Sequence, residues 1–195
     1  MNTQQVIGDF FEDLLSRMFG LKRIDRNFSH KEPDLRGETF DVEVKSSRFD
    51  NGGVIKRRQL KYIKNRPRDC PYAFPNHELK TPIWKYYQSE RSLRRALNLK
   101  SLYILPLSVV KARYETGYRR PYPTDDDFVQ IRESLAASIF SGNGYVWKTL
   151  HLDFEKYIKA QPKGTNNIFI MSDNKATLDK LLSGFSLDVY LSAKK

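Results

Sequence analysis

The sequence predicts an α/β protein, a β-sheet flanked by helices, and three observations carry that prediction. Segments with helical spacing alternate along the chain with segments of two-residue alternation or short apolar runs, the order that builds a helix-covered sheet. The 195 residues suffice for one core of ordinary size and are short for two complete domains. Apolar and aromatic side chains, at 39% and 13%, are those of a chain with a core to bury rather than a disordered one.

Residues 3–19 place Val6, Phe10, Leu14 and Met18 at successive four-residue steps, with Ile7, Phe11 and Leu15 alongside, so an amphipathic helix is expected there with Gly20 as its stop. A strand is expected over 21–28, and Pro33 forces an extended or turn conformation on its predecessor. From Thr39 to Lys45 the alternation is strict. Phe40, Val42 and Val44 share one face and Thr39, Asp41, Glu43 and Lys45 the other, which predicts a half-buried strand. The turn cluster at 50–53 precedes a helix expected over 55–65, with Ile55, Leu60 and Ile63 inward and Arg57, Lys61 and Lys64 as its outer stripe.

Pro67, Pro71, Pro75 and Pro82 suggest a long loop, either functional or an insertion, before helical spacing resumes over 83–98. Residues 102–112 form an apolar run expected to be a buried strand, bent or at an edge because of Pro106. Thr124 is expected to cap a helix whose first turn is Asp125, Asp126 and Asp127, an arrangement that also invites a metal reading. Strands over 145–152, 167–171 and 185–192, with a short helix after the first and a longer one over 175–184, complete the pattern. The division expected is a core over 1–115, with a basic, proline-rich insertion around 65–85, and an extension over 116–195 packing on the same core.

The formal charge of +11 makes a polyanion the first partner to consider. That charge is local: residues 1–50 carry 8 basic and 10 acidic side chains, whereas residues 51–100 carry 13 and 3. Tyr62, Tyr72, Phe74, Trp84, Tyr86 and Tyr87 interleave with those cations, a mixture suited to gripping phosphates and stacking on bases, although such aromatics also build cores. The single cysteine, Cys70, excludes an internal disulfide framework and a cysteine-clustered zinc or iron–sulfur site. His30, His77 and His151 lack metal-ligand spacing. With neither a secretory signal nor a membrane-spanning run in view, an intracellular, cytoplasmic protein is expected.

The chemistry concentrates in the acidic quarter. Pro33-Asp34 is followed after eight residues by Glu43-Val44-Lys45. Because strand side chains alternate, Glu43 and Lys45 must project from one face, and Asp34 on a neighbouring strand or turn can fold back beside Glu43. Two carboxylates meeting a backbone carbonyl, that of Val44, form a hard-oxygen set suited to Mg²⁺ or Mn²⁺. The segment PDLRGETFDVEVK resembles the signature of the PD-(D/E)xK nuclease superfamily, which includes restriction endonucleases and archaeal Holliday-junction resolvases. The resemblance covers about residues 3–110. It implies a restriction endonuclease-like fold, a mixed sheet in the order αβββαβ, and a metal-dependent nuclease activity.

On that resemblance Asp34 and Glu43 bind the metal and Lys45 assists the attacking water. Glu12, on a helix reading Gly8-Asp9-Phe10-Phe11-Glu12, is similar to the glutamate that many members present to the site, though it also reads as an ordinary acid beside Asp9 and Asp13. Gln59 resembles a glutamine that supports the lysine in some members. Asp41 departs from many members, adding an acid that is a ligand, an ion-pair partner of Lys45, or neither. Lys56, Arg57, Arg58, Lys61, Lys64, Arg66 and Arg68 are the cations expected to neutralise a DNA backbone, with salt-dependent binding. The function expected is that of an Mg²⁺- or Mn²⁺-dependent DNA endonuclease acting on double-stranded or branched DNA. A homodimer is favoured where two strands must be cut. The alternatives are a nucleic-acid-binding module that keeps the nuclease fold without cutting, and a basic RNA-binding protein in which the motif is coincidental.

Overall fold

The apolar steps from Val6 to Met18 wind into helix α1, Thr3–Phe19, which buries Ile7, Phe11, Leu15 and Met18 almost completely. Gly20 ends it in the left-handed conformation, φ +62°, and Leu21 N–H donates back to the Ser16 carbonyl at 3.0 Å. The computed structural model describes residues 3–24, 32–48, 53–65, 69–79, 89–117, 120–122, 126–131, 145–153 and 165–183. The strands among them are β1 (Lys22–Arg23), β2 (Leu35–Arg36), β3 (Asp41–Val44), β4 (Ser47–Arg48), β5 (Gly53–Lys56), β6 (Tyr72–Leu79), β7 (Leu97–Leu105), β8 (Arg120–Tyr122), β9 (Asp126–Ile131), β10 (Val146–Asp153) and β11 (Thr165–Ser172). The further helices are α2 (Arg57–Lys64), α3 (Glu90–Ala96), α4 (Leu107–Thr116) and α5 (Lys175–Ser183).

The protein is α/β, with a mixed sheet as its centre. Its strand order is β1-β2-β3-β6-β7-β11-β10, with β4 also beside β6, and a second sheet runs β5-β9-β8. Pairing is parallel between β3 and β6, between β4 and β6 and between β7 and β11, and antiparallel elsewhere in the main sheet. Because alternate residues of β6, β7 and β11 point to opposite sides, the sheet separates two apolar clusters. One gathers Phe11 and Leu15 of α1, Leu93 of α3 and Leu181 of α5 against Val42, Val44, Ala73, Leu102 and Ile168. The other gathers Leu60 of α2, Val110 of α4, and Ile55 and Val129 of the second sheet against Tyr72, Phe74, Tyr103 and Met171.

That double cover corrects the expectation of a half-buried strand at residues 39–45. All four residues of β3 are buried, Asp41 and Glu43 included, because the polar side of the strand lies beneath protein and not against solvent. The helix expected over 55–65 begins only at Arg57. Ile55 and Lys56 belong to β5, where Ile55 pairs with Val129, and a tertiary partner has overridden helical spacing.

The expected proline loop is instead largely the central strand β6, whose residues Tyr72 and Phe74 are core rather than stacking platforms. Pro75 is tolerated there because β3 pairs only as far as Ala73 and β4 starts at Asn76, so its missing N–H falls opposite the break between them. Pro106 does not bend a strand. It stands at φ −66° before the first turn of α4, where a proline costs a helix nothing, so residues 107–112 are helical.

Leu97 likewise starts β7, and α3 is capped by Ser89, which exchanges side-chain and backbone hydrogen bonds with Ser92. Asp126 and Asp127 lie in strand β9 between β5 and β8, not in the first turn of a helix. Thr124 and Asp125 are outside the described residues, as are residues 25–28 of the strand expected at 21–28, whose first half contains β1, the short helix after 153 and the strand at 185–192. Strands β10 and β11 and helix α5 lie where the periodicity puts them. Since β11 pairs with β7, residues on both sides of position 115 share one sheet. Among the described residues no helix is long and apolar enough to cross a membrane.

Candidate functional site

Strand β3 reaches its end at Val44, and Lys45 and Ser46 link it to β4, with Lys45 N–H donating to the Ala73 carbonyl at 2.8 Å. That link and the segment carrying Pro33 and Asp34 face each other because β2 pairs antiparallel with β3, Leu35 opposite Val42. Asp34 therefore folds back onto the end of β3, where its Oδ2 accepts a hydrogen bond from Val44 N–H at 2.7 Å. A cleft of about 500 Å³ opens here, lined by Glu12, Asp34, Glu43, Val44, Lys45 and Gln59 among others.

Glu43 and Lys45 do share a face, and they meet: Lys45 Nζ donates to Glu43 Oε1. The same ammonium lies 3.8 Å from Asp34 Oδ2 and 3.4 Å from the carbonyl oxygen of Val44. The three oxygens expected to hold a metal thus surround one cation, the ammonium of the neighbouring lysine. Gln59 Nε2, from α2, donates to the same Glu43 oxygen at 3.3 Å. Burial works against the Lys45 charge, but Glu43 and Asp34, with a smaller contribution from Glu12, outweigh it and push the pKa above the ordinary lysine range. The donor set of two carboxylates and a carbonyl is hard oxygen, and the stand-in ammonium shows that it accommodates a cation, so it fits Mg²⁺ or Mn²⁺. Among the described residues no group of three or more His, Cys, Asp or Glu side chains is arranged to hold a metal.

Glu12 is buried and lines the cleft, but its Oε2 is engaged 2.9 Å from an Arg23 guanidinium nitrogen. Arg23 of β1 also pairs with Asp9 at 2.8 Å and with Asp13, so it collects three acids from one face of α1. Asp13 in turn takes Arg94 of α3 at 3.2 Å. Arg23 was invisible as a site residue in the sequence, since nothing local tells a two-residue strand that it will dock on an acidic helix face. Asp41, although buried two residues before Glu43, is not among the residues lining the cleft.

Of the expected DNA-contacting cations, Lys56 lines the cleft from β5. Arg57, Arg58 and Lys61 are exposed on α2, which follows directly. Lys64 ends that helix, while Arg66 and Arg68 lie outside the described residues. Gly8, which opens the helical motif ending in Glu12, also lines the cleft, as do Gln4 and Ser46, which only their placement in three dimensions marks. Comparison of the chain with models of known protein families, with curated proteins and with solved structures finds no match.

Proposed function

We propose that the chain is a metal-dependent DNA endonuclease of the PD-(D/E)xK type, with a restriction endonuclease-like core built from α1, β1 to β4 and β6. The observation that carries this reading is the convergence of Asp34 Oδ2, Glu43 Oε1 and the Val44 carbonyl on the Lys45 ammonium within one cleft. A coincidental Glu-x-Lys on a solvated strand would give cross-strand ion pairs at the surface; here Glu43 is buried and a second acid, Asp34, reaches the site from a separate segment.

Asp34, Glu43 and the Val44 carbonyl would hold Mg²⁺ or Mn²⁺, which when bound polarises a phosphate oxygen and lowers the pKa of a bound water. Lys45, an ammonium at neutral pH, supplies a positive charge and hydrogen-bond donors to a phosphate oxygen as negative charge develops there. Gln59 holds the Glu43 carboxylate from the side of α2, and Arg23 keeps Glu12 at the cleft wall. Lys56 at the cleft and Arg57, Arg58 and Lys61 on α2 offer phosphate contacts to a strand lying across it. Hydrolysis adds water across one P–O bond, leaving a phosphate monoester and an alcohol. Cutting both strands of a duplex would call for two such chains.

A plasmid-nicking assay with Mg²⁺ or Mn²⁺ tests the proposal. Nicking is expected to cease in EDTA and to fall at least about a hundredfold in Glu43→Gln and in Asp34→Asn. Nicking that survives EDTA or both substitutions overturns it. So does tight DNA binding with no cleavage under either metal, the behaviour of a binding module.

A further inference from the structure

The position of Lys45 bears on how the cleft is loaded, an inference that rests on the metal-binding reading above. We propose that the Lys45 ammonium is the resident cation of the oxygen cradle, so that a divalent ion enters by exchange with it and not by addition beside it. Three oxygens from separate chain positions lie within reach of this one nitrogen: Glu43 Oε1 in an ion pair, the Val44 carbonyl at 3.4 Å and Asp34 Oδ2 at 3.8 Å. The pair is largely buried at the cleft wall, the side chains of Lys45 and Glu43 being 14% and 4% exposed and that of Asp34 23%.

Two carboxylates held this close repel each other unless a cation lies between them, and a lysine on the adjacent position supplies one at no cost in translational freedom. A dication brought to the same oxygens meets the ammonium at like-charge contact distance, where the two cations repel. The ammonium must therefore swing into the cleft before the ion can settle. An intrinsic affinity for the ion is thereby reduced by the stability of the ammonium-filled arrangement. Lys45 would then work against divalent binding even though it serves the reaction, the opposite of what a lysine acting only on water or phosphate predicts.

The test uses Mn²⁺ alone, titrated into the full chain without DNA at neutral pH and followed by the electron paramagnetic resonance signal of the free ion. Lys45→Met is expected to bind Mn²⁺ at least about tenfold more tightly than the wild type, and the gain should vanish when Glu43→Gln is added. Equal or weaker binding by Lys45→Met overturns the exchange. A gain that persists with Glu43→Gln also overturns it, because the ion would lie elsewhere. If Lys45→Met is unfolded alone, its circular dichroism should recover on adding Mn²⁺, and failure to recover counts against the proposal. A wild type that binds Mn²⁺ without nicking plasmid, beside a tighter-binding Lys45→Met, retires the nuclease and keeps the exchange. A wild type that nicks, beside a Lys45→Met that binds no better, does the reverse.

Discussion

Lys45 shows how one side chain can serve both the fold and the chemistry. Its ammonium neutralises two carboxylates that the strand and the facing turn drive together, and truncating one partner of such a buried pair costs about 3–5 kcal/mol. Because Glu43 and Asp34 raise the Lys45 pKa against the opposing effect of burial, the protonated form is bound more tightly in the folded chain than in the unfolded one. That contribution is complete at neutral pH and is lost as pH climbs through the raised value. Urea unfolding of wild type and Lys45→Met should therefore differ by a constant amount up to about pH 10 and converge above it. A gap that widens with pH would refute the ion-pair assignment. The alternation from Thr39 to Lys45 made the shared face of Glu43 and Lys45 legible in advance; the burial of that face was not, since it depends on β5 and α2 arriving from later in the chain.

At the scale of elements, strand β5 lies very close to the end of β3. A Cβ placed on Gly53 would be 2.5 Å from the Phe74 ring and 3.2 Å from Lys45 Cβ. Phe74 is buried and cannot yield freely. Gly53→Ala would gain about 0.4–1 kcal/mol by restricting the unfolded chain, but overpacking costs about 1–3 kcal/mol, so the clash prevails. The expected result is a lower urea midpoint. An unchanged midpoint would mean that β5 can lift away without consequence. The glycine looks in sequence like part of a turn cluster, and Pro75 and Pro106 look like breakers. Each takes its actual role from a neighbour: the ring beneath β5, the gap between β3 and β4, and the free first turn of α4.

Across the whole molecule, the main sheet joins strands from both sides of position 115. Cutting the chain after Thr116 would leave the β7 edge bare and strip Ile168, Ile170 and Leu181 from one cluster and Val129 and Met171 from the other. The truncated chain is expected to aggregate or to lose its cooperative urea transition; a soluble fragment with a sharp transition would show that the first part is a domain of its own. The sequence by itself determined helix α1 with its glycine stop, the motif strand, the strands β10 and β11, helix α5 and the pairing of acid and lysine on one strand face, because 3.6- and 2-residue periodicities are local properties of the chain. Only the tertiary structure decided that β6 is central, that β5 and β9 are strands, and that Arg23 takes hold of Glu12. Those outcomes depend on partners brought together by long-range packing, whose energies exceed the weak local preferences that a short stretch of residues can express.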